Sequence, residues 1–145
     1  MSKLIFVNLP VAHVARATSF YESIGAVRDP RFCDANCSML AFSDTIHFML
    51  LDHARYRDFT SKTIADARTT SEVLICLSED SREAVDATLD KAVAAGATAD
   101  PTPRQEMGDF MYGRSFEDPD GHIVELMWMD VDAAMAASAD QPAAA

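Results

Sequence analysis

Cysteine is scarce in this chain of 145 residues, with Cys33, Cys37 and Cys76 as its complement. The odd count leaves at least one thiol unpaired, and no second Cys or His pair accompanies Cys33 and Cys37 to complete a zinc tetrahedron. A reducing, cytoplasmic setting is therefore expected. Basic residues are few as well: 12 Lys and Arg stand against 23 Asp and Glu, a net charge of −11. No basic run interrupts that acidity, so neither nucleic acid nor an anionic membrane is expected as a partner, because phosphate binding draws on clustered cations. Long apolar runs are missing, which excludes a hydropathy-based membrane span. The opening MSKLIFVNLPVAH has no small-residue cleavage site behind its apolar stretch, and no export signal is expected from it.

What is present is ample material for one core. At 49% hydrophobic content, a chain of this length suits a single domain, which on folding removes roughly 68–70% of its surface from water. Leu4 to Leu9 is apolar and β-rich and runs into Pro10, so it reads as a strand ending there. From Val14 the apolar positions Ala17, Phe20, Tyr21 and Ile24 recur at helical spacing up to Gly25, the signature of an amphipathic helix with a glycine stop. Ala26–Arg28, Cys37–Ser43 and Thr45–Leu51 read as three short strands.

After a polar stretch from Asp52 to Ser71 with no sustained period, the order restarts. Val73–Leu77 reads as a strand. Ser81 is the expected N-cap of a helix whose Val85, Leu89, Ala92 and Val93 share a face before Gly96. Ala97–Ala99, Phe110–Phe116 and His122–Met129 supply three more strands, the last two joined by Asp118-Pro119-Asp120-Gly121. The chain thus reads as an α+β domain over residues 3–130 with two βαβββ modules, about 3–52 and 72–130, joined by the 52–71 connection. Two copies imply facing curved antiparallel sheets around a cleft. The Ala-rich segment 131–145 holds few large apolar residues and is expected to be a disordered tail.

Alternation gives each strand two faces. One set is uniformly apolar and suits the helix-facing core: Ile5, Val7 and Leu9; Ile46, Phe48 and Leu50; Val73, Ile75 and Leu77; Val124, Leu126 and Trp128. The other set is mixed: Phe6 and Asn8; His47 and Met49; Glu72, Leu74 and Cys76; Glu125 and Met127. Met and Phe interspersed with Asn, His and Glu are what a small-molecule cavity presents, although a solvent-facing sheet also mixes such residues. Glu125 lies mid-strand among apolar neighbours and is the candidate acid, base or ligand. Cys76 reads as a small packing residue, with nothing near it in sequence to activate a thiolate. Tyr112 and Arg114 share a face and could orient an anionic or aromatic substrate, or Arg114 could pair with the abundant acids.

The doubled layout, the opening LIFVNLPVAHVARATSFYESIGA and the closing GRSFEDPDGHIVELMWMD together resemble the vicinal oxygen chelate superfamily of glyoxalase, bleomycin-resistance and extradiol-dioxygenase proteins. The stretches FMYGRSFEDPDGH and MWMD resemble its glyoxalase-like bacterial branch. In metal-dependent members, a divalent ion such as Zn, Ni, Mn or Fe is held by His or Glu from the first and last strand of each module. By that resemblance the four positions fall on Phe6, Met49, Leu74 and Glu125, of which Glu125 alone offers a hard donor. A shift of two residues would stay on the same face and bring Asn8, His47 and Glu72 beside Glu125. The resemblance leaves two function classes open. One is a glyoxalase-like enzyme of lyase or dioxygenase type using Glu125. The other is a metal-free protein of the bleomycin-resistance kind that binds a small molecule without chemistry, for which Phe6, Phe110, Tyr112 and the Met-rich strands on an acidic chain suit a flat cation. A homodimer is expected from the resemblance and from the exposed sheet edges.

Overall fold

The computed structural model describes residues 2–140. Its first module runs β1 (Ile5–Val11), α1 (Val14–Ser23), β2 (Val27–Arg28), a 3-10 turn at Pro30–Phe32, β3 (Cys37–Ala41) and β4 (Ile46–Asp52). The connection opens with a short helix, α2 (His53–Arg57). The second module follows as β5 (Ile75–Ser78), α3 (Arg82–Ala94), β6 (Thr98–Ala99), β7 (Gln105–Met107), β8 (Met111–Glu117) and β9 (Ile123–Met129), and α4 spans Val131–Ala139.

The sheets repeat one topology: β1-β4-β3-β2 and β5-β9-β8-β6, with β7 added on β8. In each, the first strand of the module lies parallel to its last, β1 on β4 and β5 on β9, and the remaining pairs are antiparallel. Both sheets are therefore mixed, because the helix after the first strand carries the chain over before that strand finds its partner. Pro10 does not stop β1, which continues to Val11. Since β1 is an edge strand, the missing N–H breaks no ladder.

Both long helices end by the same device. Gly25 and Gly96 take φ of +105° and +111°, and the next residues turn back: Ala26 N–H donates to Tyr21 O (3.1 Å) and Ala97 N–H to Ala92 O (3.0 Å). Glycine accepts that left-handed conformation without a Cβ clash. At the other end of α3, Ser81 Oγ accepts from Ala84 N–H at 3.0 Å, as its sequence position implies.

One core serves both modules. Leu9, Val11, Leu40, Phe48 and Leu50 of the first sheet and Phe116, Val124 and Leu126 of the second are buried together with Phe20 and Tyr21 of α1 and Val85 and Leu89 of α3. Edge-on aromatic contacts run through it, and Phe20 meets Phe116 across the module boundary at 5.6 Å between ring centroids. Ile5, Val73 and Val93 lie outside this core and are exposed. Val73 precedes β5, which starts at Ile75, so it has no ladder to hold it inward.

The Ala-rich segment is helical over Val131–Ala139, contrary to the expected disorder. It buries nothing. Its support is local: Asp130 caps Ala133 N–H at 3.1 Å, and alanine has the best helix propensity. Residues 141–145 of the expected tail lie outside the described residues. Among those described, no helix is long and apolar enough to cross a membrane.

Candidate functional site

On the first sheet, the register pairs Phe6 with His47 and Asn8 with Met49, so these four share the face away from α1. Phe6 is 46% exposed and stacks on the His47 ring at 4.9 Å. That contact buries His47, whose Nδ1 has no hydrogen-bond partner. On the second sheet, Cys76 pairs with Glu125 and Ser78 with Met127. Glu125 and Met127 are half-buried there, beside a hollow of about 60 Å³ that Thr102, Pro103 and Gln105 border. That volume holds little more than a water.

Cys76 is exposed rather than packed in the core. Desolvation by its neighbours, followed by the Glu125 charge, pushes its thiol pKa up, which keeps it protonated and unreactive at neutral pH.

Tyr112 and Arg114 do share a face, but it is the opposite one. Arg114 pairs with Leu126 and Tyr112 with Trp128, whereas Ser115 pairs with Glu125. Both side chains thus turn toward α3. Tyr112 Oη donates to Asp86 Oδ1 at 2.7 Å, and Arg114 donates to Asp100 (3.2 and 2.6 Å) and Asp86 (3.1 Å). With the guanidinium forked onto two carboxylates, Arg114 is committed to structure, not to orienting a substrate.

Leu74 and Glu72 precede β5 and belong to no strand. Glu72 instead joins Asn8 on a cavity of about 320 Å³ between the connection, β1 and the start of β9. Neither His47 nor Glu125 lines it. The set Asn8, His47, Glu72 and Glu125 is therefore not assembled within the chain, and among the described residues no group of three or more His, Cys, Asp or Glu is placed to hold a metal ion. The alternative ligand positions fit no better: Phe6 and Leu74 have no donor atom, and the Met49 thioether is too soft a ligand for hard or borderline ions.

The 52–71 connection is docked, not loose. Asp52 caps α2 by accepting from Arg55 N–H at 2.7 Å, and Arg68 donates to Pro119 O at 2.8 Å. A Cβ on Gly121 would lie 2.6 Å from Arg68 N. The hairpin turn meets the first module too. Tyr21 Oη donates to Asp118 Oδ2 (2.6 Å), Ala12 N–H to Asp120 Oδ1 (2.8 Å), and His122 Nε2 to Pro10 O (2.7 Å). Burial pushes the Asp118 carboxyl up from the usual range. The sequence marks Asp118–Gly121 as a turn but gives no sign that it clamps the modules, because nothing local tells that Asp118 and Asp120, among the several charged residues of this hairpin, are the buried ones.

The sequence model described as Glyoxalase/Bleomycin resistance protein/Dioxygenase superfamily matches residues 3–126. Solved structures share the fold. A hypothetical protein from S. aureus superposes with a TM-score of 0.72 at 20% identity, covering 88% of this chain and 94% of its own. A glyoxalase/bleomycin resistance protein/dioxygenase family enzyme from Burkholderia phytofirmans gives 0.70 at 21% identity, covering 87% and 98%. A bleomycin resistance determinant encoded on the transposon Tn5 gives 0.61 at 18% identity, covering 89% and 99%. No curated protein matches the sequence.

Proposed function

The chain belongs to the glyoxalase/bleomycin resistance protein/dioxygenase superfamily, and from that premise we propose that it binds a small organic molecule between its two mixed sheet faces without using a metal. The observation that carries this reading is the donor set. By the family resemblance the four metal-ligand positions of metal-dependent members fall on Phe6, Met49, Leu74 and Glu125, of which Glu125 alone offers a hard donor, while Asn8 and Glu72 sit together on a different cavity.

Within one chain the Phe6–His47–Met49 face and the Cys76–Glu125–Met127 face line no common cavity among those described. Each is an open half-site. A homodimer that sets the first sheet of one copy against the second sheet of another completes the cleft. The half-sites offer an exposed aromatic ring, thioethers and one carboxylate on a chain of net charge −11, which suits a flat aromatic cation.

The enzymatic alternative rests on Glu125, a half-buried carboxylate beside an exposed face and free to accept a proton from a bound substrate. Titration of planar aromatic cations into chelator-treated protein separates the readings. Metal-free binding predicts saturation at one ligand per cleft with the compound recovered intact, and loss of binding in Phe6→Ala. Turnover that disappears in Glu125→Gln would favour the enzyme. Absence of any saturable binding without added metal would sink the proposal.

A further inference from the structure

Of the chain's 8 methionines, Met107, Met111, Met127 and Met129 lie on β7, β8 and β9 of the second sheet. The register sets them side by side. Met107 is opposite Met111 and Met111 opposite Met129, while two residues along the same face Gln105 is opposite Gly113 and Gly113 opposite Met127. All six positions share the face of Glu125, because alternate residues of a strand point the same way. Directly opposite side chains start about 5 Å apart at Cβ and neighbours along one strand about 7 Å apart. Long, flexible thioethers at these positions can therefore converge on one point.

The surroundings give them something to converge on. Met111, Met129, Met127 and Gly113 are the corners of one square, and Gly113 brings no side chain to its corner. The hollow of about 60 Å³ opens there, bordered by Met111, Gly113 and Met127. It is too small for an organic ligand and suits a single ion. The methionines are not core residues: Met111, Met127 and Met129 are half-buried and Met107 is 51% exposed. Packing at such strand positions favours β-branched side chains; what methionine adds is a polarizable sulfur. The net charge of −11 and Glu125 on the same face favour a cation.

We propose that Met107, Met111, Met127 and Met129 form a site for one soft monovalent cation of the copper(I) class, three thioethers around the Gly113 notch and the exposed Met107 closing over it. Thioethers select soft ions and serve hard or borderline ones poorly, so this site differs in kind from the carboxylate and imidazole site of metal-dependent relatives. The ion enters as copper(I) and no electron is transferred. A thioether has no proton to lose, so none is released either. Affinity is therefore flat between mildly acidic and neutral pH, whereas a thiol or imidazole site loses its ion as its ligands protonate. The site shares Met127 with the sheet face proposed above for an organic ligand and does not rest on that reading.

Silver(I), a soft ion that undergoes no redox step here, tests this by NMR in the full chain carrying methyl-labelled methionine, with Cys33, Cys37 and Cys76, all free thiols, first blocked by iodoacetamide at neutral pH. The methyl signals of Met107, Met111, Met127 and Met129 are expected to move together and saturate at one silver ion per chain. Those of Met39, Met49 and Met135 stay in place, and zinc(II) moves none. Met135, 68% exposed on α4, is the control for indiscriminate thioether binding. The double variant Met111→Leu/Met129→Leu keeps volume and apolar character and is expected to weaken silver binding about tenfold; Met135→Leu leaves it unchanged. The spectra of the parent chain decide the question without the variants. No movement of the four signals, equal movement of Met135, or undiminished binding in the double variant would overturn the proposal.

Discussion

Tyr21 of α1 donates a 2.6 Å hydrogen bond to Oδ2 of Asp118, 97 residues away in the hairpin turn of the second module. Asp118 Oδ1 simultaneously accepts from the backbone N–H groups of Asp120 and His122, both at 2.9 Å. One buried carboxylate therefore shapes the turn and fastens it to the first module. Burial, with the Asp118 charge second, pushes the Tyr21 hydroxyl well above its usual pKa, so it remains a donor at all ordinary pH.

Tyr21→Phe is expected to cost about 1–3 kcal/mol, because it strands a buried carboxylate oxygen while keeping the ring contacts. Thermal unfolding checks it, and an unchanged melting temperature would show that the bond contributes nothing net.

The Asp118 shift has a sign that can be measured. Its pKa is raised on folding, so the folded state binds more protons than the unfolded state above the usual carboxylate range. Its contribution is full below the unfolded pKa and declines as pH rises through the folded one. Asp118→Asn keeps an acceptor for the two backbone N–H groups and removes the charge, and is expected to flatten that decline in a stability-versus-pH series. Parallel curves for the two proteins would contradict it.

Arg114 carries the opposite dependence. Hydrogen bonding to Arg114 holds the Asp100 carboxyl below the usual range, and hydrogen bonds from Tyr112 first and Arg114 next do the same for Asp86. The stability these pairs supply is present above the unfolded carboxylate pKa and lost as pH falls through the lowered values. With Asp86 and Asp100 side chains 49% and 31% exposed, Arg114→Met is expected to cost about 1 kcal/mol at neutral pH after solvent screening. That cost shrinks in acid. Ligand affinity in the sheet-face cleft is expected to stay unchanged.

Gly121→Ala tests the docked connection. Gly121 has φ of +96°, and its added Cβ would fall 2.6 Å from Arg68 N and 2.8 Å from Ala67 C, backbone that cannot rotate aside. The connection is expected to lift and its backbone to loosen, so that trypsin cleaves faster after Arg57, Lys62 and Arg68, whose side chains are already exposed. A cleavage rate equal to that of the parent protein would show that the connection is held elsewhere.

The doubled layout was legible because its signals are local: Ser81 before an amphipathic run, Gly25 and Gly96 at helix ends, and alternation along β4 and β9. The orientation of β8 was also within reach. Phe116 shares its parity with Tyr112 and Arg114, and an apolar ring on that face marks it as the one against α3. The connection was not legible, since it is fixed by irregular contacts such as Arg68 on Pro119 that leave no period. The helix at Val131–Ala139 buries nothing, so a reading based on core-forming residues misses it; its alanine content was the available signal.

Light scattering of the purified chain, with and without Phe6→Asp, tests whether the open faces pair. A dimer that dissociates when a charge is placed beside His47 is expected; a monomer in both proteins would leave each half-site open and remove the completed cleft.

The most direct test of metal-free binding is a thermal-shift titration with planar aromatic cations, run on protein whose metal content has been brought to zero by chelation and verified by elemental analysis. A saturable rise in melting temperature that is unaffected by adding Zn, Ni, Mn or Fe(II), and abolished by Phe6→Ala, is the predicted result. A rise that occurs only after metal is restored, and disappears in Glu125→Ala, would contradict the account.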